Sequence, residues 1–227
     1  MNWRISQQQS RSRYLNKYSA AAVDEYDQWT TSLSPADNLS YLEDILECCP
    51  ISSGQKILEL GAGTGGFTLV LKQVSGISLT AVEPSPEMLL RLKSKADLRD
   101  IPCIQSFCDH ISDRSLFAAE SFDIIASRQL FNGLFDPIAA LENTLFWLKP
   151  HGRLIVTDGL YDRSAWTGIW EEEVDCLPLS ACRNIAMLPY LMEKVGFHVT
   201  HAQPMDRTNQ RSSTKTPRYI AVGCKIA

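Results

Sequence analysis

Short apolar runs near residues 56–60, 78–83, 103–107, 122–127, 153–158, 197–203 and 218–226 punctuate the chain, each of strand rather than helix length. Stretches with helical spacing lie between most of them, near residues 65–75, 86–97, 136–148 and 183–195. Strand and helix in alternation predict an α/β fold: a mostly parallel, doubly wound sheet with helices on both faces. Two helices are expected ahead of the first strand. One covers residues 13–30 and carries Tyr14, Tyr18 and Tyr26; the other starts at Pro35 or Ala36, with Ser34 as its cap, and runs to Cys49. Residues 1–50 therefore read as an N-terminal helical lid or extension, and residues 51–227 as one structural unit, since no linker rich in Pro, Gly or Ser divides the chain.

The run from Lys56 to Leu71 reads as a buried strand, a glycine turn and an amphipathic helix in succession. Gly61, Gly63 and Gly65 lack a Cβ, so the backbone can turn sharply there and present its N–H groups to a ligand. Taken alone the glycines are ambiguous, because Gly61, Gly63 and Gly66 also fit a dinucleotide fingerprint. The acidic residues around the turn narrow the choice. Glu59 lies just before the first glycine. Glu83 ends the second strand pattern about 20 residues on, the spacing of a carboxylate that binds a ribose diol. Asp109 follows the third strand pattern, within reach of an adenine amino group.

With these motifs in order, the chain resembles the class I S-adenosylmethionine-dependent methyltransferases, in particular the small-molecule branch. Glu59 to Gly65 resemble the family's first motif, Glu83-Pro84-Ser85-Pro86-Glu87-Met88 its second, and Cys108-Asp109-His110 its third. Leu148-Lys149-Pro150-His151-Gly152 resembles its Leu-Lys-Pro-Gly-Gly turn, with His151 in place of the first glycine. The resemblance implies seven strands in the order 3-2-1-4-5-7-6, the last antiparallel, and S-adenosylmethionine as cofactor. It further implies that Gly61, Ala62 and Gly63 pack against the cofactor's amino-acid end, Glu83 with Pro84 holds the ribose and Met88 covers the adenine. Asp109 and His110 would face the base's polar edge, while Ser127 and Arg128 lie near the sulfonium and carboxylate. Tyr18 and Tyr26 sit in a segment similar to the family's Tyr-Asp lid.

The acceptor pocket must come from pieces the core does not need. The candidates are the N-terminal helix, the segment after the fourth strand with Gln129 and Asn132, and the long connection after the fifth, with Tyr161, Trp166 and Trp170. The two tryptophans, four residues apart, would share a helical face. Because the cofactor methyl is already activated, alignment and exclusion of water carry much of the catalysis, and a base is needed only where the acceptor must lose a proton. His110 is the candidate base, with a backbone contact to adenine as its competing role; Glu171, Glu172 and Glu173 are a second option. Ser127-Arg128-Gln129-Leu130 occupies the place of the Asn-Pro-Pro-Tyr motif used on nucleic-acid bases, which favours a small metabolite such as a natural-product intermediate.

Composition agrees with one core: 227 residues, 44% hydrophobic. The net charge of −4 and the absence of a basic stripe argue against nucleic acid as partner. The N-terminal residues lack an apolar signal core and no run reaches the length of a membrane span, so a soluble cytoplasmic protein without membrane contact, monomeric or homodimeric, is expected. Seven cysteines and four histidines show no ligand spacing, and no metal is expected. Two other classes share many of these features: an S-adenosylmethionine-binding scaffold or cyclisation catalyst without methyl transfer, and a nicotinamide-dependent reductase.

Overall fold

The computed structural model describes residues 6–31, 34–168, 171, 174–211 and 216–226. Seven strands form one sheet: β1 (Lys56–Leu60), β2 (Ser78–Val82), β3 (Cys103–Ile104), β4 (Phe122–Arg128), β5 (Leu148–Gly159), β6 (Phe197–Pro204) and β7 (Arg218–Lys225), ordered β3-β2-β1-β4-β5-β7-β6. The first five run parallel, and β7 is inserted antiparallel to both β5 and β6. Three helices precede the sheet: α1 (Gln7–Lys17), α2 (Ala20–Thr31) and α3 (Pro35–Cys48). Between and after the strands come α4 (Gly66–Leu71), α5 (Pro86–Ser94), α6 (Pro137–Trp147), α7 (Met187–Val195) and α8 (Asp206–Arg211).

Successive residues of a strand face opposite sides, so alternate positions feed two cores. Ile57, Ile124, Ala126, Ile155, Ile220 and Val222 meet Tyr41 and Ile45 of α3 and Phe67, Val70 and Leu71 of α4 on one side. Leu58, Leu60, Ile125, Leu154 and Val156 meet Trp147, Leu188 and Met192 on the other. Because β1 has β2 on one flank and β4 on the other, the connections leave it in opposite directions. A crevice therefore opens past its carboxyl end.

The N-terminal helix expected over residues 13–30 is instead two helices. The backbone leaves helical geometry at Tyr18, which caps α1 at φ −90°, ψ 59°. Helix α1 also begins earlier, because Ser6 and Gln9 form a reciprocal capping box. Strand β3 stops at Ile104 rather than 107, β5 begins at Leu148, and α7 begins at Met187 rather than 183; α8 was not anticipated. Ser34 does cap α3, with Pro35 in its first turn.

Gly65 caps α4 in the left-handed region at φ +91°, and a Cβ there would be driven into Leu98 and to 3.0 Å from Leu92 Cγ. Gly65→Ala should therefore cost roughly 2–5 kcal/mol, backbone strain plus overpacking. Gly54 has φ +85° with nothing within 4 Å of its would-be Cβ, so Gly54→Ala should cost only the strain, about 1–2 kcal/mol. Urea midpoints of the two variants check this; equal losses would mean that Leu92 and Leu98 yield freely.

Candidate active site

The glycine turn is tied to β2 by Gly61 and Ala62, whose N–H groups both donate to Val82 O, at 2.9 and 3.1 Å. One residue on, the Glu83 carboxylate collects three donors: Gly63 N–H on Oε2 at 3.0 Å, and Ser85 N–H and the Tyr14 hydroxyl on Oε1 at 2.9 and 3.0 Å. Glu83 is 1% exposed, and burial pushes its pKa up to about 7 against the pull of those donors. Over the turn lie Tyr14, Tyr18, Val23 and Tyr26, packed with the buried Met88 in one cluster. The Tyr26 ring comes within 3.7 Å of where a Cβ on Gly63 would stand. Pro84 is half-buried next to Glu83, and Ser85 caps α5.

Asp109, after β3, is equally engaged. Its Oδ1 pairs with Arg11 at 3.1 Å, its Oδ2 accepts from Phe135 N–H at 3.1 Å, and its carbonyl accepts from Gln7 Nε2 at 2.8 Å. Arg11 also binds Asp113 at 2.7 Å and lies 4.6 Å above the Phe107 ring. Gln7, Arg11 and Tyr14 are spaced i, i+4, i+7 and so share one face of α1. That face meets both carboxylates expected to hold adenosine. The sequence reading missed Gln7, Arg11 and Tyr14 as a stripe, although the spacing was available to it. His110 turns its ring to the local backbone: Nδ1 lies 2.6 Å from Ser112 Oγ and caps a 3₁₀ turn over Ile111–Leu116, reciprocated by Asp113. Its carbonyl accepts from Asn143 Nδ2 at 2.7 Å.

Beneath the turn, Glu59 and Ser127 are fully buried; among the described residues no donor stands in hydrogen-bonding geometry to the Glu59 carboxylate oxygens or the Ser127 hydroxyl, and Thr68 and Arg128 are the polar groups that act on Glu59. Burial pushes Glu59 up to about 8. Unpartnered acceptors in a dry interior are costly and signal a missing donor. Beside them Arg128 lies 5.7 and 6.0 Å from the Tyr41 and Phe67 ring centres, and a Cβ on Gly66 would come to 2.6 Å from its Nη2. Tyr26, Thr30, Gly61, Ala62, Gly66 and Arg128 line a cavity of about 10 Å³, roughly the room of one water. These groups fit the amino-acid end of S-adenosylmethionine: acidic and hydroxyl acceptors for its ammonium, a guanidinium for its carboxylate, and a Cβ-free turn alongside.

Past β4, Gln129 sits at φ +53°, a strained conformation for a residue with a Cβ. With its amide oxygen turned to the donors, it accepts from the Tyr161 hydroxyl and from Arg218 Nη2 at 3.0 Å. Arg218 Nη1 also donates to the Tyr161 hydroxyl at 2.7 Å. Asn132 N–H donates to Asp158 Oδ2 at 3.0 Å, and burial raises Asp158 to about 6. Trp166 donates from Nε1 to Ser180 O at 2.9 Å and packs on Tyr161, ring centres 5.6 Å apart. It follows a 3₁₀ turn over Arg163–Ala165, so the helix expected to align it with Trp170 does not begin there; Trp170, Glu172 and Glu173 lie outside the described residues. Arg218 and Asp158 were missed by the sequence reading.

Glu59, Glu83 and Asp158 all have pKa values raised by burial, so the folded protein binds protons the unfolded chain has released. Their contribution is full below their ordinary values and is lost as pH rises toward 6, 7 and 8 in turn. Ligand-free protein should therefore lose stability from pH 5 to 8, by about 1.4 kcal/mol per pH unit for each group in its window. Glu59→Gln should flatten the upper part of that slope. Urea midpoints at a series of pH values test this, and stability constant or rising over the range contradicts it.

A family model described as "Methyltransferase domain" matches residues 34–202. Phosphoethanolamine N-methyltransferase 1 of Triticum aestivum is 26% identical over 170 residues, 74% of this chain and 33% of that protein. The chain thus spans about a third of the length of that relative. A demethylmenaquinone methyltransferase of Mycobacterium sp. is 30% identical over 138 residues, 61% of this chain and 56% of its own. Among solved structures, Haemonchus contortus phosphoethanolamine N-methyltransferase 2, in complex with phosphomonomethylethanolamine and S-adenosylhomocysteine, superposes with a TM-score of 0.69 at 16% identity, covering 99% of this chain and 61% of that one. At that identity the likeness shows the fold.

Proposed function

The chain belongs to the methyltransferase-domain family, class I, with S-adenosylmethionine as its cofactor, and we propose that it transfers the cofactor's methyl group to the oxygen or nitrogen of a small-molecule acceptor. The observation that carries this reading is the pair of buried carboxylates beside a glycine turn, Glu83 directly after β2 and Asp109 in the segment that follows the adjacent parallel β3. When bound, the cofactor supplies an electrophilic methyl on a sulfonium. Glu83 accepts the ribose hydroxyls while Gly63 N–H holds its other oxygen, and Asp109 accepts from adenine. Glu59 and Ser127 take the ammonium and Arg128 the carboxylate. Met88 and Pro84 wall the adenosine, and Gly61, Ala62 and Gly65 form the turn beside it. Tyr18 and Tyr26 close over the site from α2 and its preceding turn, excluding water. Gln129, Asn132, Tyr161 and Trp166 line the acceptor side.

Nδ1 of His110 is held by Ser112, which supports a structural part for this residue, capping the turn that follows Asp109. Ser127-Arg128-Gln129-Leu130 in the place of an Asn-Pro-Pro-Tyr motif supports a small metabolite, such as a natural-product intermediate, over nucleic acid. No described helix is long and apolar enough to cross a membrane.

Glu83→Ala should weaken S-adenosylhomocysteine binding by about 1.5–3 kcal/mol, roughly 10- to 150-fold, with the fold intact. Calorimetry decides, and unchanged affinity removes the assignment. Since Tyr14 holds a Glu83 oxygen that the ribose needs, α1 must yield when the cofactor enters. Amide exchange over residues 10–30 should change on adding S-adenosylhomocysteine. Equal, strong protection with and without it would make this segment a fixed wall and move entry to the 159–175 connection.

A further inference from the structure

Arg218 opens β7 and, because that strand runs antiparallel, its side chain stands at the same end of the sheet as the carboxyl ends of β4 and β5. The residue is 9% exposed, and a guanidinium stays charged at any working pH. A buried cation needs an anion or a full set of acceptors. The hydrogen-bond partners of its side chain are neutral: the Tyr161 hydroxyl at 2.7 Å and the Gln129 amide oxygen at 3.0 Å. Among the described residues no carboxylate comes within 4.0 Å of it. Asp158 is the acid near it, and that carboxylate is committed to Gly159 N–H at 2.8 Å and Asn132 N–H at 3.0 Å. A second cation, Arg128, acts with Arg218 on the hydroxyls of Tyr26 and Tyr41.

Three separate devices hold the guanidinium in place. Asn209 clamps the Arg218 backbone from both sides, accepting from its N–H at 2.7 Å and donating to its carbonyl at 2.9 Å. Gly159 provides the room, since a Cβ there would come to 2.8 Å from Arg218 Nη1 and 2.7 Å from the Tyr161 ring. Gln129 reaches the fork from a left-handed backbone that a side chain adopts at a cost. Strain and close approach concentrated around a cation with no carboxylate partner among the described residues are features of a binding site rather than of a surface salt bridge.

We propose that Arg218, with Tyr161 and Gln129, seats an oxyacid group, carboxylate or phosphate, on the methyl acceptor, and so makes Arg218 the residue that sets acceptor specificity. The inference rests on the methyltransferase reading above. A planar fork flanked by a hydroxyl matches two oxygens of such a group, and a neutral or cationic acceptor would leave the buried charge unpaired.

The test uses the full chain saturated with S-adenosylhomocysteine and titrated calorimetrically with phosphoethanolamine, malonate and, as a control without an oxyacid, ethanolamine. At least one anion should bind with a dissociation constant below about 10 mM and ethanolamine should not. Binding of phosphoethanolamine alone assigns a phosphate, and of malonate alone a carboxylate. Arg218→Met should weaken the anion at least about tenfold with S-adenosylhomocysteine affinity within about twofold, and Arg218→Lys should fall between. Tyr161→Phe, which keeps the ring packing, should weaken the anion several-fold, so the inference stays testable where Arg218→Met fails to fold. Binding of neither anion, equal binding of ethanolamine, or anion binding unmoved by these variants overturns the inference while S-adenosylhomocysteine binding leaves the methyltransferase reading standing. Failure of S-adenosylhomocysteine itself to bind overturns both.

Discussion

Taking carboxylates out of water at the ends of parallel strands is the constraint on which the rest of this structure turns. Glu59, Glu83 and Asp109 are all buried at the crevice end of the sheet. A charge there must be given donors or stay protonated. Glu83 obtains its donors from the backbone of the glycine turn and of α5's cap, which fixes the turn relative to β2. Asp109 obtains one from the chain after β4. Glu59 has no close donor among the described residues, and burial raises its pKa to about 8 against the weaker pull of Thr68 and Arg128. The sheet order matters because it brings these three strand ends side by side.

The same constraint explains how the N-terminal helices are attached. No residue within α1 is buried, so apolar area does not hold it down. Its contacts to the acids are polar, Gln7 and Arg11 on Asp109 and Tyr14 on Glu83, and its ring contacts are few, Tyr14 against Tyr18 and Phe107. Besides the packing of Val23 and Tyr26 on Met88, ion pairs tie α2 to α5 and the residue that caps it: Asp24 with Arg91, and Asp27 with Lys95 at 2.6 Å. Attachments of this kind break at modest cost and are screened by salt. Such a hold suits the lid role proposed for this segment. The contacts α1 makes are with the acids that adenosine would need, so helix and cofactor compete for the same acceptors.

What the sequence made legible follows from how local each signal is. The strand–turn–helix at residues 56–71 and the acid at the end of β2 are read from contiguous residues, and they lie where the spacing places them. The seven-stranded order is not written in periodicity; it came with the family resemblance. The break at Tyr18 was hidden because both flanking segments favour helix, and the position of Ser19 beside it gives only a weak signal. The ring of His110 is held by Ser112, and the Asp113 three residues beyond is a capping signal that was there to be read. Arg218 was out of reach for a different reason. It meets Gln129 only because β7 enters the sheet antiparallel, which returns residues almost ninety positions downstream to the same end as β4.

The central claim is that the acceptors now engaged by α1 are those that receive the cofactor, and a crystal structure of the S-adenosylhomocysteine complex tests it most directly. The account predicts both ribose hydroxyls within about 3 Å of the Glu83 carboxylate, with Gly63 N–H still donating to it and the Tyr14 hydroxyl no longer occupying Oε1. A complex in which the Tyr14–Glu83 and Arg11–Asp109 contacts persist unchanged, with the cofactor product bound elsewhere, would contradict it.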